Sequence, residues 1–157
     1  MAVEHSTLTT TDLHEPKGVA AASVDQTYIA DGAASGTWTN SDNNIYLSGT
    51  INDVSTAASF WLPSPCTGTI TKIHTIINGS IATADAVLTF ELGGTLITDG
   101  SSNNLTITQS GSAAGDVDTM TPTGARTLAV GTKIEMITAG ASTNTIIAQV
   151  IFTVAPT

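Results

Sequence analysis

Two carboxylates two residues apart, Asp116 and Asp118, are the closest approach in this sequence to an acid/base pair. On an extended chain they would share one face, as the acids of some glycosidases do. Gly115 before them and Pro122 after them mark a loop instead, where the carboxylates of an acidic chain are solvated. His5, His14 and His74 stand at no metal-ligand spacing from one another or from Cys66, and no HExxH, CxxC or EF-hand pattern occurs. Residues 40–44 (NSDNN) offer oxygen ligands of the kind Ca²⁺ takes. They lack the loop glycine and the bidentate glutamate, so they read as a polar linker. Residues 140–144 (GASTN) approach a nucleophile elbow but lack its final glycine and fall between expected strands, which makes them a hairpin turn. Residues 32–36 (GAASG) are followed by no lysine and open no helix, so they are a flexible linker and not a phosphate cradle. No catalytic residue, metal or cofactor is expected, and with them no enzymatic activity.

Composition points the same way. In 157 residues, 13 acids stand against four bases for a net charge of −9, and no Lys/Arg cluster is present to neutralise phosphates. Nucleic acid and anionic membrane are therefore not expected as partners. The longest apolar runs, such as 145–154, fall well short of a bilayer span. The first residues have neither a basic nor an apolar signal region, so a soluble protein without an export signal is expected. Charged residues make up only 11% of the chain, and Ser with Thr about a quarter, so hydroxyl and amide groups must form much of the surface. Cys66 is alone and cannot form an internal disulfide; beside Pro65 it reads as a small core residue.

The elements behind these residues divide into two zones. Residues 1–40 scatter Ala and Val without a period of 2 or 3.6, so they read as an extended N-terminal arm and linker with no core of its own. Residues 41–157 carry short β-branched runs between turn residues: 44–51, 58–62, 67–77, 86–92, 95–98, 104–109, 126–130, 132–138 and 143–154. Leu88, Phe90 and Leu92 alternate inward, as do Leu105 with Ile107 and Ile134 with Met136. In 67–77 the strict alternation puts Ile70 with Lys72, His74 and Ile76, opposite Ile73, Thr75 and Ile77, and Asn78-Gly79 closes the strand with a tight-turn signal. Isoleucines on both faces of 143–154 predict a central strand or one covered on both sides. Only 18–25 and 80–86 leave room for a helical turn. The pattern predicts an all-β antiparallel sandwich, jelly-roll-like, behind an extended arm.

Only three lysines, at 17, 72 and 133, are present to guard the open edges of such a sandwich, so either tight turns and prolines such as Pro122 suffice or, as we expect, other subunits cover the edges and faces in a closed oligomer. Phe60 and Trp61 are adjacent, so one of them must point out of its strand. With Tyr28, Trp38, Tyr46, Phe90 and Phe152 they make a thin aromatic stock that suits core and interface better than a sugar platform. Within the arm, Leu13, Pro16, Tyr28 and Trp38 are large apolar residues on a small-residue tether, either anchors for a pocket on a partner or cover for their own sandwich.

Here the chain resembles a known group. The segment Asp12-Leu13-His14-Glu15-Pro16-Lys17-Gly18, then Tyr28-Ile29-Ala30-Asp31-Gly32 and Ser35-Gly36-Thr37-Trp38, is similar to the N-terminal region of small virion structural proteins of tailed bacteriophages. Residues 68–72 (GTITK), 80–86 (SIATADA), 111–117 (GSAAGDV) and 141–145 (ASTNT) extend the resemblance over nearly the whole chain. That group includes head decoration (cement) proteins and head or tail fibre components. The resemblance implies a virion part made in the host bacterial cytoplasm and, as a decoration protein, a homo-oligomer, with a trimer favoured, carried on the outer surface of the phage head. Its partner would be the major capsid protein, met through Leu13, His14, Glu15, Pro16, Lys17, Gly18, Tyr28 and Trp38 of the arm. The alternative is a fibre or receptor-binding component recognising a host glycan or protein; a hydrolase of cell-wall sugars comes third.

Overall fold

The computed structural model describes residues 26–30, 36–40 and 43–157. They fall into two compact units, the first ending at Asp42 and the second running from Asn43 to Thr157. In the first, β1 (Gln26–Ala30) pairs antiparallel with β2 (Gly36–Asn40). This part of the expected extended arm is thus a two-stranded ladder. Thr27, Tyr28 and Ile29 supply the β-branched and aromatic types that favour strands, and the neighbouring alanines and glycines mask that signal in a window average.

The second unit is an all-β sandwich, with no helix among the described residues. Its strands are β3 (Ile45–Ile51), β4 (Ala58–Pro63), β5 (Gly68–Ile77), β6 (Ala86–Leu92), β7 (Thr95–Leu96), β8 (Leu105–Ile107), β9 (Val117–Met120), β10 (Thr127–Leu128), β11 (Lys133–Thr138) and β12 (Ala148–Pro156). One sheet has the order β10-β5-β12-β3, with β9 also pairing β5; the other has the order β4-β11-β6-β7, with β8 also pairing β6. Every pairing is antiparallel. The core lies between the sheets. Phe152 of the first and Phe90 of the second meet edge to face at 5.6 Å between ring centroids, and both are fully buried. Ile51, Ile73, Ile77, Val150 and Val154 line one inner face, and Leu88, Leu105, Ile107, Ile134 and Met136 the other. β12 is central, between β5 and β3, as isoleucines on both of its faces suggested.

Local signals mark where strands stop but not which sheet comes next. Asn78-Gly79 ends β5, yet the chain then crosses to the other sheet and forms no two-residue hairpin. The Asn78 side chain instead accepts a hydrogen bond from the Ile147 amide at 2.9 Å. Residues 140–144 also link the two sheets and are no hairpin turn, and the same holds for 129–132, between β10 and β11. Residues 80–86 form no helical turn: Ala82 bridges to Thr143, and Thr83 takes a φ of 72° while its hydroxyl meets that of Thr143 at 2.8 Å. The first residues of the expected strand 143–154, up to Ile147, lie outside β12, although Ile146 still packs against the core. Residues 18–25 lie outside the described residues.

One register shift corrects the facing of β5. Thr153 of β12 pairs with Lys72 and Val154 with Ile70, so Thr71 is an extra residue bulged against β12. The bulge turns Ile70 into the core beside Ile73, Thr75 and Ile77, and leaves Lys72, His74 and Ile76 on the outer face. Strict alternation cannot foresee this, because a bulge adds one residue to the period.

Candidate functional site

The sequence-predicted arm site is only partly placed. Leu13, His14, Glu15, Pro16, Lys17 and Gly18 lie outside the described residues. Tyr28 and Trp38 are brought together: they are directly opposed across β1 and β2, with ring centroids 5.3 Å apart and planes at 60°. Such an aromatic cross-strand pair contributes about 0.5–1.5 kcal/mol beyond its buried area. On the other face of the ladder Ile29 is exposed.

The two carboxylates stand at the entry to β9 and within it, each with its own surroundings. Asp116 accepts a hydrogen bond from the Ala113 amide at 2.7 Å and thereby closes its own turn. Asp118 is not in a loop; it belongs to β9, opposite Thr75. Burial, and then the charge of Asp116, push its carboxyl above the usual range. The Thr75 hydroxyl across from it is buried and has no hydrogen-bond partner. The strand escaped the sequence reading because four residues, with Gly115 before them and Pro122 just after, are too short to show a period.

Among the described residues no group of three or more His, Cys, Asp or Glu side chains could hold a metal ion. Cys66 is half-buried against the core. Ser142, the serine of residues 140–144, is buried at the sheet crossing with its hydroxyl unpartnered, so it is not presented to solvent as a nucleophile. Asn43 and Asn44 of the expected polar linker form no regular element, and residues 41–42 lie outside the described residues.

Three surface features stand out once the strands are in place. The outer face of the β5 sheet carries a groove of about 290 Å³ between Tyr46, His74, Ile76, Val117 and Ile151, with Tyr46 64% and Val117 56% exposed. Its one imidazole meets the Thr119 hydroxyl at 2.9 Å through Nδ1. A second groove, about 410 Å³, lies between Leu92, Thr95 and residues 123–127, where Arg126 donates to the Pro122 carbonyl at 2.9 Å.

The third feature is Trp61, the outward member of the Phe60–Trp61 pair, 59% exposed on β4 while Phe60 packs against the core. The Lys133 ammonium lies 5.9 Å from the centre of its ring and 2.9 Å from a Glu135 oxygen. Glu135, held below the usual carboxylate range by hydrogen bonds from Lys133, Ser59 and Trp61, ties these side chains to one another.

No protein-family model matches the chain, and comparison with curated proteins gives no significant match. Function therefore rests on these surfaces. Sequence reasoning did not single out Ile76, Val117 and Ile151, and the available signal was the isoleucine pattern on both faces of β5 and β12. For residues 143–154 that pattern predicts a central strand or one covered on both sides; β12 is central, and its outer face opens to the groove.

Proposed function

We propose that this chain is a non-enzymatic capsid decoration protein of a tailed bacteriophage, carried on the outer surface of the head. There it would fasten subunits of the major capsid protein and act as a closed homo-oligomer. The observation that supports this reading most is the β1–β2 ladder. A two-stranded ladder is marginal in water by itself, and this one belongs to a unit distinct from the sandwich, holds the Tyr28–Trp38 pair and exposes Ile29. That is the chemistry of an anchor that gains its stability on a partner surface. The apolar outer face at Tyr46, Ile76 and Val117, on a chain with only four basic residues, supports docking on protein and not on nucleic acid or membrane. The mechanism is linkage: a protein that binds only the assembled shell stabilises it by about 2.7 kcal/mol per site at a hundred times its dissociation constant.

The test is co-sedimentation with purified phage heads. Full-length protein is expected to bind in many copies per head, and deletion of residues 1–18, or Trp38→Ala, to leave the sandwich folded but weaken binding at least ten-fold. Unchanged binding by both variants would move the attachment to the sandwich. Few copies per particle together with binding to host cells would support the fibre alternative instead. No turnover on peptidoglycan or polysaccharide is expected; hydrolysis abolished by Asp116→Asn or Asp118→Asn would overturn the non-enzymatic assignment.

A further inference from the structure

The two flanks of the sandwich are built differently. One is closed by short strands: β9 and β10 in one sheet, β7 and β8 in the other, of four, two, two and three residues. Short edges of this kind offer little backbone for another chain to pair with. The other flank consists of β3, seven residues, and β4, six residues, which contact each other across the sandwich. Among the described residues β3 pairs only with β12 and β4 only with β11. Neither strand carries a charged residue, β3 has no proline, and no bulge interrupts the β3–β12 ladder. The described lysines that could guard an edge, Lys72 and Lys133, sit on the interior strands β5 and β11. In a chain of net charge −9, this long edge, unpaired among the described residues, carries no charge of its own to oppose pairing.

We propose that β3 pairs edge to edge, antiparallel, with β3 of a second copy of this chain, making a two-fold dimer. The strand is close to self-complementary about Ser48. Centring the pair there sets Ile45 opposite Ile51 of the second copy, Leu47 opposite Gly49, Tyr46 opposite Thr50, and Ser48 opposite itself. Every pair then joins residues of the same face, as an antiparallel ladder demands. Ile45, Leu47 and Ile51 stay on the inner side, where Leu47 and Ile51 are already buried, and the core continues from one copy to the next. Gly49 adds no bulk opposite Leu47, because the end of Met136 occupies the space its side chain would fill. On the outer side Tyr46, exposed in the single copy, gains a β-branched cross-strand neighbour. The same two-fold axis would bring β4 of each copy to the other. The closed unit is then a dimer and not the trimer expected of a decoration protein. The inference does not rest on the particle assignment, because it concerns the free protein alone.

Sedimentation velocity of the full-length protein at micromolar concentration is expected to show a dimer. Ser48→Lys puts two ammonium groups against each other at the axis while each stays solvated on its own sandwich. It is expected to weaken the dimer roughly a hundred-fold. A second variant leaves the edge intact: Ser48→Cys in a Cys66→Ser background should oxidise to a covalent dimer, since directly opposed strand positions meet disulfide geometry. Thr89→Cys in the same background, on the interior strand β6, should not cross-link. A monomer or a trimer in the unmodified protein overturns the proposal. So does a dimer that Ser48→Lys leaves unchanged, or a dimer that Ser48→Cys fails to cross-link.

Discussion

Gly140 offers a quantitative test of how the two sheets are joined. It follows β11, on the crossing to β12, with φ at +71°, a conformation that costs an L-residue about 1–2 kcal/mol. A methyl group at this position would be driven into the Ala57 amide nitrogen, with the Ala57 Cα and the Thr56 carbonyl carbon each 3.0 Å away. These are backbone atoms, and the Thr56 carbonyl also accepts a hydrogen bond from the buried Thr138 hydroxyl, so the segment leading into β4 cannot retreat cheaply. Overpacking of this kind adds about 1–3 kcal/mol. Reduced freedom of the unfolded chain returns about 0.4–1 kcal/mol. At the middle of these ranges Gly140→Ala should therefore cost about 3 kcal/mol. Gly93 is the control: its φ is +58°, yet nothing lies within 4 Å of the added methyl, so only the conformational part remains, about 1 kcal/mol or less after the same correction. Urea unfolding followed by circular dichroism separates the two. With a slope of about 2 kcal/mol per molar, Gly140→Ala shifts the midpoint by about 1–2 M and Gly93→Ala by no more than about 0.5 M. Equal midpoints for the two variants would refute the claim that backbone contact across the sheet crossing sets the cost.

Three further substitutions probe other parts of the molecule. Phe90→Ala removes a fully buried ring and its edge-to-face partner contact with Phe152, so a loss of about 3–5 kcal/mol is expected in the same urea assay. Gly49→Ala places its methyl 2.5 Å from Met136 Cε, the free end of a flexible side chain, so the expected loss is below about 1.5 kcal/mol despite the short distance. Asp118 has a carboxyl held above its ordinary value, so the folded state takes up its proton at higher pH than the unfolded chain does. The group is therefore destabilising at neutral pH, and stability is regained as pH falls through the raised value toward the ordinary carboxylate range. Asp118→Asn should raise the urea midpoint at pH 7, with the difference from the unmodified protein shrinking on acidification; a difference that grows on acidification would contradict the assignment.

What the sequence made legible was alternation, and alternation reports faces, not partners. β6 reads Ala-Val-Leu-Thr-Phe-Glu-Leu, and every second residue from Ala86 to Leu92 is buried. β8 and β11 behave the same way. Three things lay beyond it. The Thr71 bulge changes the phase of β5 in mid-strand, so Ile70 moved from the expected outer face to the core. Turn residues at 78–79, 131 and 140–144 ended strands as expected, but each leads into the opposite sheet, because a turn sequence fixes local dihedral angles and not the surface on which the next strand finds its apolar complement. The Tyr28–Trp38 pair was legible as two aromatic anchors and not as a pair, since only the register of β1 on β2 makes them opposite. The outer groove at Ile76, Val117 and Ile151 is a feature of three neighbouring strands, and no single-strand pattern contains it.

The asymmetry of the flanks connects assembly with the proposed attachment. A seven-residue uncharged edge is an aggregation hazard in a protein that exposes it to all comers. It becomes safe when its own geometry restricts it to one partner, and a strand self-complementary about Ser48 closes on itself after two copies, leaving no free edge of β3 for a third. A dimer also presents two β1–β2 ladders on one body. If each ladder binds the shell only weakly, joining two of them makes the second attachment intramolecular and raises overall avidity by about 10²–10⁴ with no new contact. Weak anchoring by a marginal ladder and firm retention on a particle would then be compatible, and the proposed β3 dimer would reconcile them. Ser48→Lys should accordingly lower retention on heads as well as dimerisation, while leaving the Tyr28–Trp38 pair, and with it the single-site contact, intact.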